Sequence, residues 1–263
     1  MKITFLNIWG GTKQSEYLEF LKEKKSSEDV FCLQEMSSFL EECISDKFAT
    51  LHSWKLTQDI LTEFIGFHAV RQRTWHDMSG ISAPAPWGLA VLLQKDIPIF
   101  EYRETFLLGH HDSSQDTSME TGIPVILQAI KILYKNKKLW ILNIHGYYAG
   151  KGIGKHDTKE RLEQSQGIIN FLKQLDGDII LGGDFNLNPE TESIKMLEDF
   201  GLRNLITEYN IPSTRTSHYS EEKRKKWPHA DYVFVSKNVK VKSFRVDTGS
   251  LASDHAPMFL EIE

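Results

Sequence analysis

Cysteine is scarce in this sequence, which has two in 263 residues, Cys32 in an apolar run and Cys43 in a segment with helical spacing. Two cysteines placed in this way form neither a disulfide framework nor a metal-ligand cluster. Long apolar runs are also missing, since none approaches the roughly 20 residues that span a membrane. The N-terminal run over residues 3–9 is too short for a signal peptide. We therefore expect a cytoplasmic protein without a membrane-spanning segment.

An excess of positive charge is absent as well. The formal net charge is -5 and the isoelectric point is near 6.1, so net charge does not favour tight non-specific binding to nucleic acid or to an anionic membrane. A local basic patch remains compatible with these values. The composition, 40% hydrophobic and 25% charged, suits one large core, and no internal repeat or linker divides the chain. We expect a monomer with a single domain over residues 1–263.

The most informative stretch is residues 178–186, with the sequence DIILGGDFN. Its apolar run, closed by two glycines, predicts a short strand buried on both faces. Asp184 and Asn186 follow at once, and two polar residues at this spacing can face one pocket if the chain stays extended. The alternative is a turn in which both side chains bond only their own backbone. The rest of the chain decides between the two.

Other predicted strands also carry a polar residue where they end or begin. Most of these residues have an ordinary explanation when taken alone, such as a buried amide bonded to backbone or a surface carboxylate. A polar residue nevertheless stands at too many strand ends for each to have a separate, unrelated explanation. These residues are Asn7, Glu35, His145, Asp184 with Asn186, Asp231, and Asp254 with His255. Carboxylate and amide oxygens suit a hard cation, and histidines suit proton transfer or charge stabilisation. The pattern therefore indicates a single catalytic site.

Six motifs in this order resemble those of the endonuclease/exonuclease/phosphatase superfamily, and the resemblance spans the chain. The motifs are Leu6-Asn7, Leu33-Gln-Glu35, Asn143-Ile-His145, Gly182-Gly-Asp-Phe-Asn186, Asp231-Tyr-Val-Phe-Val235 and Ser253-Asp-His-Ala-Pro257. The resemblance implies an α/β fold, a four-layer sandwich in which two packed mixed β-sheets are flanked by helices, as in DNase I. It also implies a phosphoester hydrolase that depends on Mg²⁺ or Mn²⁺.

The resemblance assigns a role to each motif residue. Glu35 would be the main metal ligand, with Asn7 and Asp254 beside it. Asp184 would orient or deprotonate the attacking water, and Asn186 would hold the nucleophile or a phosphate oxygen. His145 and His255 would donate to the non-bridging oxygens as charge develops there. Asp231 would fix the tautomer of His255.

Substrate choice lies outside the shared motifs, in the loops at 71–87, 109–121, 146–157 and 211–230. Cationic and aromatic side chains there could contact phosphates and stack bases, and the candidates are Arg71, Arg73, Trp75, Arg215 and Trp227. On this basis we expect cleavage of nucleic acid by in-line attack of water. The alternative is a phosphodiesterase or phosphatase that acts on a small or lipid-headgroup phosphoester.

Two further expectations concern the remaining segments. The glycine-rich run 151–155 lacks the spacing and the preceding strand of a phosphate-binding loop, so we expect a flexible connection there. The spacing of residues 37–48 predicts a helix.

A non-catalytic binding module on the same fold is the remaining alternative. Such a protein would be expected to have lost motif residues, whereas all of them are present.

Overall fold

The computed structural model describes residues 1–38, 52–73, 75–76, 82–83, 86–111, 124–150 and 153–263. The helix predicted over residues 37–48 falls mostly outside these ranges. The strands are β1 (Lys2–Asn7), β2 (Val30–Ser37), β3 (Phe64–Gln72), β4 (Trp75–His76), β5 (Ser82–Ala83), β6 (Trp87–Gln94), β7 (Ile99–Leu108), β8 (Val125–Tyr134), β9 (Lys137–His145), β10 (Asp178–Asp184), β11 (Arg203–Asn204), β12 (Asp231–Val235), β13 (Val241–Val246) and β14 (Met258–Ile262). The helices are α1 (Gln14–Lys24), α2 (Ser53–Ile60), α3 (Lys159–Leu172), α4 (Glu192–Asp199), α5 (Leu205–Glu208) and α6 (Glu221–Lys226).

Twelve of these strands form two mixed sheets of six. The first sheet has the order β13-β14-β1-β2-β6-β3 and the second the order β11-β12-β10-β9-β8-β7. Each contains one parallel pair, β1 with β2 and β9 with β10, while its other neighbours run antiparallel. The short strands β4 and β5 pair separately.

The two sheets pack face to face, and helices cover their outer faces. The central strands read as near-continuous apolar runs because both of their faces are buried. Between the sheets, the ring of Phe5 lies against Gly182, where an added Cβ would come within 2.6 Å of the ring. On the outer face of the first sheet, Tyr17 and Leu21 of α1 pack in a second apolar cluster with Phe31 and Leu33. This architecture confirms the predicted four-layer sandwich.

A polar clasp joins the two sheets inside this apolar core. Asn143 of β9 donates to the backbone oxygens of Leu33 at 3.0 Å and Ala90 at 3.1 Å, both in the first sheet. Its own side-chain oxygen accepts from Gln34 at 2.7 Å, and Asn143 is fully buried. An unpaired buried amide would cost roughly 1–3 kcal/mol, so these bonds favour one relative placement of the sheets.

No helix in the described parts of the chain is long and apolar enough to cross a membrane.

Protonation of His68 is expected to make stability depend on pH. The ring stacks on Trp54 with centroids 5.2 Å apart, and burial lowers its pKa to about 4. His68 therefore takes up a proton near pH 6.5 in the unfolded chain but only near pH 4 in the folded chain. The free energy of unfolding consequently decreases as the pH falls from about 6.5 towards 4. Between pH 7 and pH 5 the loss should be about 1–2 kcal/mol. Urea unfolding at both values would measure it, and a His68→Gln variant with the same pH slope as the wild type would contradict it.

Candidate active site

The site lies at one end of the sandwich because of the strand directions. In each sheet the parallel pair brings two carboxyl ends to the same edge, which places Asn7 beside Gln34 in one sheet and Asp184 beside His145 in the other. The antiparallel strand β12 begins at this edge, where Asp231 is the register partner of Asp184. Strand β14 likewise begins here, so the segment before it, with Asp254 and His255, reaches the same place.

A β-bulge presents Glu35 to the site. Gln34 and Met36 pair with successive residues of β6, and Glu35 is the extra residue between them, with a φ of 63°. Trp9 and Asn186, both at the same end of the sandwich, also have positive φ, at 51° and 56°. Such conformations cost about 1–3 kcal/mol each and gather at functional sites. The fold therefore stabilises an unfavourable backbone where these side chains meet.

Asn7 links the two sheets at the site. Its amide nitrogen donates to Glu35 Oε1 and to Asp184 Oδ2, both at 3.1 Å. Its oxygen accepts from the backbone N–H of Trp9 at 2.9 Å. In this arrangement Asn7 aligns two carboxylates, and its own oxygen is engaged by the backbone rather than directed at them.

Asp184 is the most connected carboxylate of the site. Its Oδ1 accepts from the backbone N–H of Asn186 at 2.8 Å, and its Oδ2 lies 3.7 Å from the Nε2 atoms of both His145 and His255. Burial by itself raises its pKa, but the positive groups around it, led by His255 and Lys155, hold the pKa below its usual value. Asp184 is therefore an anion at neutral pH although it is buried.

His255 and Asp231 form a buried pair. His255 Nδ1 donates to Asp231 at 2.8 Å, and Thr214 donates to the other oxygen of the same carboxylate at 2.8 Å. Arg215 Nη1 lies 2.5 Å from His255 Nε2. Burial and Arg215 lower the pKa of His255, but the surrounding carboxylates outweigh them and the pKa is raised. A carboxylate on Nδ1 fixes the tautomer that leaves Nε2 facing the site.

His145 faces the same carboxylates without such a partner. Its Nε2 lies 3.7 Å from Asp184 and 3.9 Å from Glu35, while its buried Nδ1 has no hydrogen-bond partner. Burial, supported by Arg71, lowers its pKa well below the ordinary value. His145 is therefore neutral at neutral pH, although its acidic neighbours alone would favour the protonated form.

Three of the buried cations contact residues of the site directly, namely Arg71, Lys155 and Arg215. Arg71 stacks on Trp87, its guanidinium carbon 4.1 Å from the ring centroid. Lys155 donates to the side-chain oxygen of Asn186, and burial lowers its pKa to about 8. A buried charge is retained only where opposite charge or an anionic ligand stabilises it.

Lys155 is the residue that sequence reasoning missed. The prediction of a mere flexible connection at 151–155 is wrong for this residue, which is 6% exposed. Arg161 of α3 holds the preceding loop by donating to the backbone oxygens of Gly154 at 2.9 Å and Tyr147 at 3.3 Å. An arginine on the buried face of an amphipathic helix is the one sequence signal that could have indicated an ordered loop here.

The predicted substrate residues have different surroundings. Arg71 and Arg215 lie inside the site, at 2% and 3% exposure. Arg73 is exposed, the side chain of Trp75 falls outside the described residues, and Trp227 is half-buried over Gly154. The candidates therefore form no continuous outer surface among the described residues.

Two sets of residues could hold a metal ion. Ligand atoms of Asp184, Asp231 and His255 lie within 4.8 Å of one another, although His255 and Asp231 already bond each other. Glu35 offers a carboxylate whose pKa is raised by burial and also by Asp254. Two carboxylates that disfavour each other's charge are stabilised by a cation, and oxygen donors suit Mg²⁺ or Mn²⁺. The donor set therefore fits a hard divalent ion.

Comparison with known proteins gives a consistent result. A model of the endonuclease/exonuclease/phosphatase family matches residues 5–255. No curated protein matches the sequence closely enough to count as a relative.

Solved structures share the whole fold. An endonuclease/exonuclease/phosphatase from Bacteroides vulgatus superposes with a TM-score of 0.73 at 16% identity, covering 100% of this chain and 98% of that one. A mannosyl-6-phosphatase from Bacteroides thetaiotaomicron gives 0.73 at 18% identity, with 100% and 99% covered. The catalytic domain of human nocturnin, with bound sulfate, gives 0.65 at 16% identity, with 100% and 93% covered.

Proposed function

The chain belongs to the endonuclease/exonuclease/phosphatase family, and from this premise we propose that it hydrolyses phosphoesters with a divalent metal ion and an in-line water. One observation carries the proposal. Asp184 is held by Asn7 at 3.1 Å and lies 3.7 Å from the facing nitrogens of both His145 and His255. An anion aligned between two such nitrogens can position a water against a phosphorus atom whose oxygens the nitrogens stabilise.

The metal ion would be held by Glu35, with Asp254 beside it. When bound, Mg²⁺ or Mn²⁺ would offset phosphate charge and stabilise the leaving oxygen. Asn7 supports this role indirectly, since its amide fixes the Glu35 carboxylate and its oxygen is engaged by Trp9. The Asp184, Asp231 and His255 group is the other possible location, but the hydrogen bond between its histidine and Asp231 makes it less available.

The remaining residues act on the water and on the phosphoryl group. Asp184 orients the water and accepts its proton as the new P–O bond forms. Asn186, whose backbone N–H bonds Asp184, keeps that carboxylate turned towards the centre. His145 and His255 stabilise the charge that develops on the non-bridging oxygens, with Asp231 holding His255 in the required tautomer.

The substrate has two candidates. Nucleic acid is the one that the sequence favours, through its loop arginines and tryptophans. A small phosphoester is favoured by the burial of Arg71 and Arg215, which removes them from an outer binding face. The mannosyl-6-phosphatase among the similar structures is in line with this second candidate.

An assay on four substrates tests the proposal. The purified protein, with Mg²⁺ or Mn²⁺ and with EDTA as control, is given supercoiled plasmid, a single-stranded oligonucleotide, bis-p-nitrophenyl phosphate and p-nitrophenyl phosphate. Metal-dependent turnover of any of them supports phosphoester hydrolysis. Turnover of none would overturn it in favour of a binding module.

Substitution of Glu35 should weaken the response to metal. In Glu35→Gln we expect the Mg²⁺ concentration for half-maximal rate to rise by about 10–100-fold, because the charge of the main ligand is lost. A Mg²⁺ titration of the initial rate measures it. Glu63→Gln, an exposed glutamate before β3, is the control, and an unshifted titration in Glu35→Gln would exclude Glu35 as the metal ligand.

A further inference from the structure

We propose that the substrate of this site is a terminal phosphomonoester, whose doubly charged phosphoryl group is bound by Arg71, Lys155 and Arg215. This inference rests on the proposed function and narrows it to one class of substrate. It assigns a binding role to Lys155 and a shared specificity role to the three cations.

The three cations approach one centre from separate parts of the fold. Arg71 lies near the end of β3, Lys155 in the loop before α3, and Arg215 in the segment before α6, where its backbone bridges to His255. None is more than 6% exposed. Asp184 interacts favourably with Arg71 and Lys155, and Arg215 in turn acts on Asp184. Arg71 Nη1 donates to the backbone oxygen of His145 at 3.4 Å, Lys155 donates to Asn186, and Arg215 Nη1 lies 2.5 Å from His255 Nε2. The three cations therefore meet at one site although they are far apart in sequence.

These cations retain unused hydrogen-bonding capacity. The buried Nε atoms of Arg71 and Arg215 have no hydrogen-bond partner. Lys155 has three N–H donors, of which Asn186 accepts one. Buried donors without acceptors are costly, and an oxyanion with several lone pairs relieves that cost. The arrangement therefore fits a ligand that brings its own negative oxygens.

A monoester fits this donor set better than a diester. Its phosphoryl group presents three terminal oxygens that share two negative charges, whereas a diester has two such oxygens and one charge. In a diester the second ester arm places a carbon substituent on one of these oxygens, which then carries no negative charge and is no longer terminal. One buried cation would then lose its partner, at a large electrostatic cost.

The exposed lysines in and next to α6 do not form a binding surface for a nucleic-acid strand. Lys223 and Lys226 lie over the rings of Tyr219 and Trp227, at 5.6 Å and 4.6 Å, and Lys225 pairs with Glu221 at 2.7 Å. These contacts are all within or next to α6. These exposed lysines thus have partners of their own, whereas the three buried cations lie inside the site, where they can reach a single phosphoryl group but not successive phosphates along a strand.

The test compares two esters with the same leaving group, p-nitrophenyl phosphate and methyl p-nitrophenyl phosphate. Wild type should prefer the monoester. Lys155→Met should lower kcat/KM for the monoester by about 10²–10³-fold and for the diester by less than about 10-fold, because the lost charge acts on an oxygen that only the monoester has. Lys155→Arg should recover part of the loss, and Lys159→Met, an exposed lysine four residues along, should match wild type.

Binding of the product gives a second readout. Inorganic phosphate should inhibit the wild type competitively and bind more weakly to Lys155→Met, or to Lys155→Gln if the first variant does not fold. Faster hydrolysis of the methyl diester or of an oligonucleotide, or equal losses on both esters in the variant, would overturn the inference and leave the proposed function standing. If neither these two esters nor any of the four substrates of the first assay is hydrolysed, the proposed function fails. Phosphate that binds wild type and variant equally would overturn the inference alone.

Discussion

Asp184→Asn is expected to lower kcat/KM by about 10²–10⁴-fold on any phosphoester that the wild type hydrolyses. The substitution keeps the size and shape of the side chain, and its amide oxygen can still accept from the Asn186 N–H that now bonds Asp184 at 2.8 Å. It removes the negative charge that His145 and His255 face and the oxygen that accepts the proton of water in the proposed mechanism. The loss should therefore fall on kcat more than on KM.

Steady-state kinetics on p-nitrophenyl phosphate and bis-p-nitrophenyl phosphate measure this effect. Asp199→Asn, at an exposed position at the end of α4, controls for the substitution itself, and thermal unfolding shows whether both variants are folded. If Asp184→Asn retained more than about a tenth of the wild-type activity, its loss would be smaller than the least expected when a proton acceptor is removed. That result would exclude Asp184 from the chemical step.

Gly183→Ala is expected to destabilise the protein by about 3–5 kcal/mol. Gly183 has a φ of 134°, and an added Cβ would lie 2.1 Å from the backbone oxygen of Ile144 on the neighbouring parallel strand. Neither strand can move away freely, because one continues into His145 and the other into Asp184. The methyl group would thus break the ladder at the point where it leads into the site.

Gly201→Ala provides a matched control. Its φ is 108°, but nothing lies within 4 Å of the added Cβ, so this variant carries the backbone penalty without the clash. We expect it to cost about 1 kcal/mol, and urea unfolding of both variants gives the difference. Equal losses would mean that backbone conformation, and not the contact with Ile144, accounts for the effect.

The sequence predicts where the motif residues lie in the fold, because the ends of its buried strands can be recognised from the pattern of apolar and polar residues. A buried apolar run followed by Asp184 or His145 places its polar residue at a sheet edge, and parallel pairing of β9 and β10 brings such edges together. The order of six motifs then implied the sandwich, which the two six-stranded sheets confirm. Local pattern and global fold agree here, as foldable sequences require.

The environment of the cations was not readable, because it depends on packing between distant segments. Arg71 is buried through its stacking on Trp87, and Lys155 through a loop held by Arg161. Local sequence chemistry also misleads in one place, since Asp157 and Glu160 have the spacing of a capping box but form none. Thr158 caps α3, and Asp157 instead accepts from Glu192 and Ser193 at the start of α4.

The place of β14 between β13 and β1 has a consequence for synthesis on the ribosome. Strand β1 precedes the other described strands, yet its antiparallel partner β14 follows all of them, pairing Lys2 with Glu261. Until that partner arrives, one edge of β1 is open, and pairings over such long separations form slowly. Asp254 and His255 directly precede β14, so a nascent chain can complete the second sheet and still lack part of the candidate active site. The candidate site should therefore be complete only after β14 has docked, well after most of the core has formed.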